Sequence, residues 1–185
     1  MRIVVGISGA SGAIYGVRTL QALRHLGVET HLVLSETAGE TITYETPYTV
    51  DDVLAMADKV YPVNDVAAAI SSGSFRTDGM IIAPCSIKTL SGVANSYNEN
   101  LLTRAADVSL KERRRLVLVV RETPLHLGHL RLMTAVTEMG AVLLPPMPAF
   151  YHKPQTIDDI VNQTVGKVLD QFGLDASLFK RWTGL

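Results

Sequence analysis

A chain of 185 residues with 47% hydrophobic and 19% charged residues suits one globular domain, residues 1–185, that buries a large core. Lys plus Arg (17) nearly balances Asp plus Glu (18), which argues against nucleic acid or a membrane surface as the partner and favours a small molecule or another protein. The single cysteine, Cys85, excludes an internal disulfide and a multi-cysteine metal site. The opening residues lack the pattern of a signal peptide, and no apolar run reaches the ~18–20 residues that cross a bilayer, so a cytoplasmic location is expected.

Read in chain order, RIVVGI (2–7) predicts a strand, and GISGASGAIYG (6–16) its turn into a helix. A dinucleotide fingerprint in this register wants glycine where Ile7, Gly9 and Gly12 stand. A mononucleotide is therefore the better fit, with a plain tight turn as the bland alternative. The following helix would offer free N–H groups to an anion. Tyr15, Leu20, Leu23 and Leu26 mark its apolar face, and Gly27 its end. VETHLVL (28–34) predicts a second strand followed by Ser35 and Glu36, an acid that keeps a ribose contact open. Residues 46–78 are weakly patterned: a short helix, a short strand near Val60 and a glycine-serine loop.

MIIAP (80–84) predicts a buried strand, and Cys85-Ser86-Ile87-Lys88-Thr89 follows with either ligand donors or a helix-capping turn. Cys85 reads as a buried apolar filler rather than a nucleophile. In LLTRAADVSLKERRRL (101–116), Arg104 and Lys111 fall about two helical turns apart on one face, placed either for one anion or for solvent. RLVLVV (115–120) ends at Arg121-Glu122, a phosphate and proton-transfer pair or an ion pair closing the strand. Leu130, Met133, Val136 and Met139 predict a helix ending at Gly140, AVLLP (141–145) another strand, and residues 157–172 the last long helix. His126 and His129 read as capping or packing residues, without a signalled third metal ligand.

The strand runs are continuous rather than alternating, and helical stretches separate them. That predicts an α/β fold: three α/β/α layers around a mainly parallel sheet. In such sheets ligands bind beyond the carboxyl ends of the strands, and five predicted ends carry polar or ionisable residues, Tyr151-His152-Lys153 following the last.

With these segments assembled, the chain resembles the flavin prenyltransferase (UbiX) family, formerly described as aromatic-acid decarboxylase subunits. The likeness rests on GISGASGAIYG, APCSIKTLSGVA, LLTRAADVSLKERR, RETPLHLGHL, GAVLLPPMPAFYHKPQTIDDIV and a late Trp182, covering nearly the whole chain. It implies a Rossmann-like or flavodoxin-like domain that binds FMN and forms a homo-oligomer, typically a dodecamer, with sites where subunits meet. The implied reaction moves a dimethylallyl group from dimethylallyl phosphate to N5 of reduced FMN and closes a ring at C6. The prenylated FMN then serves a separate UbiD-type decarboxylase.

Carried over by position, the resemblance places Gly9, Ala10, Ser11, Ser35, Ser86, Ile87, Lys88, Thr89 and Arg121 at the FMN. It places Arg104, Lys111, Tyr151 and Lys167 around the prenyl phosphate, with Arg121 near both ligands. Ser11, Glu45 and Glu122 take roles in proton movement, with Lys111 also counted as catalytic, and Trp182 stands beside the prenyl group. Lys167 replaces an arginine of some members, and Asn64-Asp65-Val66 stands where some have an aromatic. No metal is implied: neither Asp51-Asp52 nor Asp158-Asp159 extends into a magnesium-binding motif, and fixed cations can hold a leaving monophosphate. Two rivals remain: an FMN-dependent decarboxylase of the same fold, which predicts a catalytic histidine near the flavin, and a non-catalytic FMN-carrying accessory subunit.

Overall fold

The computed structural model describes residues 1–184. Six strands build its sheet: β1 (Arg2–Ile7), β2 (Glu29–Leu34), β3 (Lys59–Tyr61), β4 (Gly79–Cys85), β5 (Arg115–Val120) and β6 (Val142–Leu143). Their order is β3-β2-β1-β4-β5-β6, and every neighbouring pair is parallel. The helices are α1 (Ala13–His25), α2 (Glu36–Glu45), α3 (Val50–Leu54), α4 (Ile87–Ala94), α5 (Leu101–Lys111), α6 (Leu127–Glu138) and α7 (Ile157–Asp170). This is the doubly wound Rossmann order, and the direction of winding reverses between β1 and β4.

The central strands are apolar throughout because both of their faces are covered. Ile3, Val5 and Ile7 of β1, with Ile81 and Ala83 of β4, face the layer that holds Val17 and Leu20 of α1 and Val161, Val165 and Val168 of α7. Val4, Met80 and Ile82 face the opposite layer with Leu90 of α4 and Leu101, Leu102 and Ala105 of α5. Alternation of side chains along each strand thus fills two cores from one unbroken run.

Within the weakly patterned 46–78, Thr49 and Asp52 form a reciprocal cap that starts α3. The edge strand β3 follows, and a single 3-10 turn (Ala69–Ser71) stands in the glycine-serine stretch. Two expected ends are trimmed. β6 is shorter than 141–145 because Pro145 has no N–H to continue the ladder, and α7 stops at Asp170 rather than Phe172. On α6, Met133 and Val136 are buried but Leu130 is 46% exposed, so only part of the predicted apolar stripe is covered within one chain.

Candidate active site

The carboxyl ends of β1, β2 and β4 open into a cleft of about 620 Å³. Gly9, Ser35, Ser86, Lys88 and Thr89 line it, five of the residues carried over for FMN. Ser35 and Ser86 are N-caps: Ser35 Oγ accepts from the Ala38 N–H (3.2 Å), and Ser86 Oγ accepts from the Thr89 N–H (3.2 Å). Two helix starts, α2 and α4, therefore converge on one cavity and favour an anion there. Lys88 reaches Glu99 across the mouth at 3.2 Å. Ile87 is half-buried against the α4–α5 core rather than lining the cleft.

Ser8 is the hidden joint of this site. It is 2% exposed, its Oγ donates to the Pro84 carbonyl (3.0 Å) and accepts from the Ser86 N–H (2.8 Å), and so it ties the loop after β1 to the loop after β4. Gly9 lies low over the head of α2: a Cβ there would fall 2.1 Å from the Thr37 hydroxyl oxygen. Sequence reasoning missed the rest of the lining. Thr37, Ser91, Asn95, Tyr97, Glu99, Asn100 and Thr103 complete the wall. The signal was present in NSYNEN between two helices and in the Asn100–Thr103 capping box that starts α5.

The start of α1 corrects one expectation. Its N–H groups are not open to a ligand anion, because Glu45 at the end of α2 accepts from the Gly12 N–H (2.7 Å) and the Ala13 N–H (3.2 Å). Gly12 sits in the left-handed region (φ 98°) and supplies no side-chain cap, so a carboxylate from elsewhere fills the positive end of the helix. Burial pushes the Glu45 carboxyl up. The Gly12 N–H, the Ser11 hydroxyl, the Ala13 N–H and the Arg121 charge together outweigh it and hold the group below its ordinary value. Ser11 and Glu45 thus meet at the start of α1, within the electrostatic reach of Arg121.

A pH dependence follows. Glu45 has a lowered folded pKa, so its contribution to stability is complete above the ordinary carboxylate value and is lost as pH falls through the lowered one. Urea midpoints measured between about pH 3 and 6 should fall more steeply for the wild type than for Glu45→Gln, which cannot titrate at this position.

Arg121 donates its N–H to the Cys85 carbonyl (3.2 Å), which fixes the end of β5 against β4. Glu122 is exposed and accepts from the Thr123 N–H (2.9 Å). Among the described residues, Arg121 and Glu122 do not pair with each other, so the bland reading of this dipeptide is not the arrangement seen. Cys85 is fully buried and its thiol is pushed far above its usual range by burial, which fits a packing role. His126 caps α6, its Nδ1 accepting from the Gly128 N–H (3.0 Å), with the His129 ring tilted by 32° against it, centroids 3.6 Å apart. Asp52 and Asp159 are spent on the caps of α3 and α7.

The residues carried over for the prenyl phosphate are spread out within one chain. Arg104 donates from Nε to the Ser71 carbonyl (3.1 Å) and from Nη1 to Asp107 (2.8 Å). Lys111 pairs with Glu112 at the last turn of α5. Thr103 lines the cleft, and eight residues of helix, roughly 12 Å, carry Lys111 away from it toward the opposite end of the sheet. Tyr151 and Trp182 meet edge to face with centroids 5.9 Å apart, and Lys167 lies on α7 beside Asp170 at 3.3 Å.

A Rossmann-ordered sheet with paired helix starts at its switch point defines a nucleotide-binding class, and comparison with known proteins agrees. The family model described as Flavoprotein matches residues 1–169. The flavin prenyltransferase UbiX of Thauera aromatica is 71% identical over 184 residues, covering 100% of this chain and 95% of that protein. AnUbiX (PadA1), whose crystal structure holds FMN and dimethylallyl pyrophosphate, superposes with a TM-score of 0.98 at 56% identity, covering 100% of this chain and 98% of that one. A dodecameric FMN-dependent UbiX-like decarboxylase from Escherichia coli O157:H7 gives the same TM-score of 0.98 and 56% identity, with 100% of both chains covered. The chain belongs to the flavin prenyltransferase family.

Proposed function

We infer that the chain transfers a dimethylallyl group from dimethylallyl phosphate to N5 of reduced FMN, with ring closure at C6, and so makes prenylated FMN. One observation carries this reading: the cleft at the switch point joins two helix starts and a glycine loop in a fold that superposes with a TM-score of 0.98 on a relative holding both FMN and a dimethylallyl ester. The cavity, about 620 Å³, is within the usual range for small-molecule sites, and its hydroxyl and amide donors suit the phosphate of FMN. Reduced FMN supplies the nucleophilic nitrogen and the ring carbon that closes.

The protein's own groups do the rest. Gly9 and Ala10 let the backbone come close, while Ser35, Ser86, Lys88 and Thr89 hold the phosphate and ring edge, with Ile87 backing them from the core. Arg121 stands between the flavin site and the prenyl end. Ser11 and Glu45, adjacent at the start of α1, form a path for a proton, and the exposed carboxylate of Glu122 is placed to take one at the end of β5. Arg104, Lys111, Tyr151 and Lys167 hold the leaving phosphate as fixed charges and donors, and Trp182 turns a π face to the allylic cation character that develops.

Because Lys111 stands away from its own cleft, the complete site draws on more than one copy of the chain. A homododecamer, as described for the relative from Escherichia coli O157:H7, suits this reading. So do Leu127, Met147 and Phe150, each at least 60% exposed in the single chain. The product passes to a UbiD-type decarboxylase in the cytoplasm, where a lone thiol stays reduced. A decarboxylase of the same fold is disfavoured, since relatives that are 71% and 63% identical over essentially the full chain are flavin prenyltransferases.

The test is anaerobic incubation of the purified protein with reduced FMN and dimethylallyl phosphate, followed by mass spectrometry of the extracted flavin. The expected result is a flavin heavier by one five-carbon unit, formed equally well with a chelator present. Bound FMN that stays unmodified overturns the reading and leaves the accessory-subunit alternative.

A further inference from the structure

The chain does not leave the domain where α7 ends. Gly173 turns it back in the left-handed region (φ 68°), and Leu174, Ala176 and Leu178 then lie against the core beside α1 and α7. The Phe179 ring occupies the notch left by a helical glycine: a Cβ on Gly166 would fall 2.3 Å from it. Two residues on, Arg181 takes both oxygens of Asp170, Nη2 to Oδ1 at 2.8 Å and Nη1 to Oδ2 at 3.1 Å. The next residue is Trp182, which meets Tyr151.

Asp170 also accepts from Lys167 Nζ at 3.3 Å, so one carboxylate joins two pieces of the prenyl end of the site. The two cations are not equivalent. Arg181 is held by a two-point fork, the stronger and more directional arrangement, whereas Lys167 is a single point charge at longer range. A substrate phosphate can therefore draw Lys167 off without leaving Asp170 unpaired, because Arg181 remains. The segment 174–182 forms no helix or strand of its own. Arg181 also pairs with Asp175 at 3.3 Å, but that carboxylate belongs to the segment itself and does not tie it to α7. Docking therefore rests on a few side-chain contacts with the domain, and one latch can shift its population.

We propose that Asp170 is a positioning residue for the prenyl donor: through Arg181 it latches the chain after α7 so that Trp182 sits on Tyr151, and the same ion pair frees Lys167 to face a phosphate. Gly166 is the steric half of the latch. The inference rests on the assignment of Tyr151, Lys167 and Trp182 to the prenyl end of the site.

Trp182 is the only tryptophan in the chain, so its fluorescence and its quenching by iodide report docking directly and without turnover. Asp170→Asn and Gly166→Ala undo the latch by charge and by bulk respectively. In the full-length protein both should raise iodide quenching of Trp182 and raise KM for dimethylallyl phosphate about ten-fold, with FMN affinity within about two-fold of wild type. Asp170→Glu should restore most of both. Unchanged quenching and KM in Asp170→Asn overturns the proposal, as does a loss of FMN binding in both variants in step with their KM, which marks a merely structural role. If the wild type makes no prenylated flavin, the functional reading fails, while the quenching of Asp170→Asn still decides the latch.

Discussion

Lys111→Ala should lower kcat/KM for prenyl transfer by about 100-fold or more while FMN binds as in the wild type. In its own chain Lys111 does not line the cleft. It pairs with Glu112 at the far end of α5, and a Cβ on Gly73 would fall 2.7 Å from its Nζ. If each chain worked alone, the substitution would leave the chemistry untouched. A large effect is expected instead, because in the proposed assembly the ammonium completes the site of a neighbouring copy and neutralises the leaving phosphate there. Stopped-flow absorbance of the reduced flavin under anaerobic conditions measures the transfer, and fluorescence titration with FMN measures the binding. Loss of FMN affinity in the same proportion would assign Lys111 to folding or assembly instead.

Gly16→Ala should destabilise the fold by about 1–3 kcal/mol, although alanine is the better helix former. The reason is close approach. A Cβ on Gly16 would lie 2.3 Å from the Ala83 carbonyl oxygen and 2.8 Å from the Ile7 side chain, so α1 must lift from β1 and β4. Ile7 leads into the glycine loop and Ala83 into Pro84, whose carbonyl accepts from Ser8. The shift therefore reaches the cleft, and FMN affinity should fall together with the urea midpoint. A variant with unchanged midpoint would show that the helix can move without strain.

The sheet was legible because its strands carry unbroken apolar runs, and parallel strands covered on both faces produce such runs. The start and stop of α1 were legible from Gly12 and Gly27, both observed in the left-handed region. Residues whose task depends on long-range partners were harder to read. Ser8 reads as loop filler until β4 brings Pro84 and Ser86 against it, 76 and 78 residues away. Glu45 owes its proposed proton role to the family likeness. Its occupation of the α1 terminus lies 33 residues from Gly12 and leaves no local pattern. The spacing of Arg104 and Lys111 showed that they share a helix, but not that the helix carries Lys111 away from the cleft. Spacing within a helix reports which face is shared, and the symmetry of an assembly is not written in it.

Mixed assemblies discriminate between prenyl transfer at a site built by more than one chain and transfer at a site within one chain. Lys111→Ala removes the phosphate side and Arg121→Ala the flavin side, so each variant alone should be inactive. Unfolded and refolded together, the two should regain part of the wild-type formation of prenylated flavin, because some sites then receive an intact Arg121 from one copy and an intact Lys111 from another. Mixed assemblies that form fully and remain as inactive as either parent would contradict the claim, since every site would then depend on a single chain.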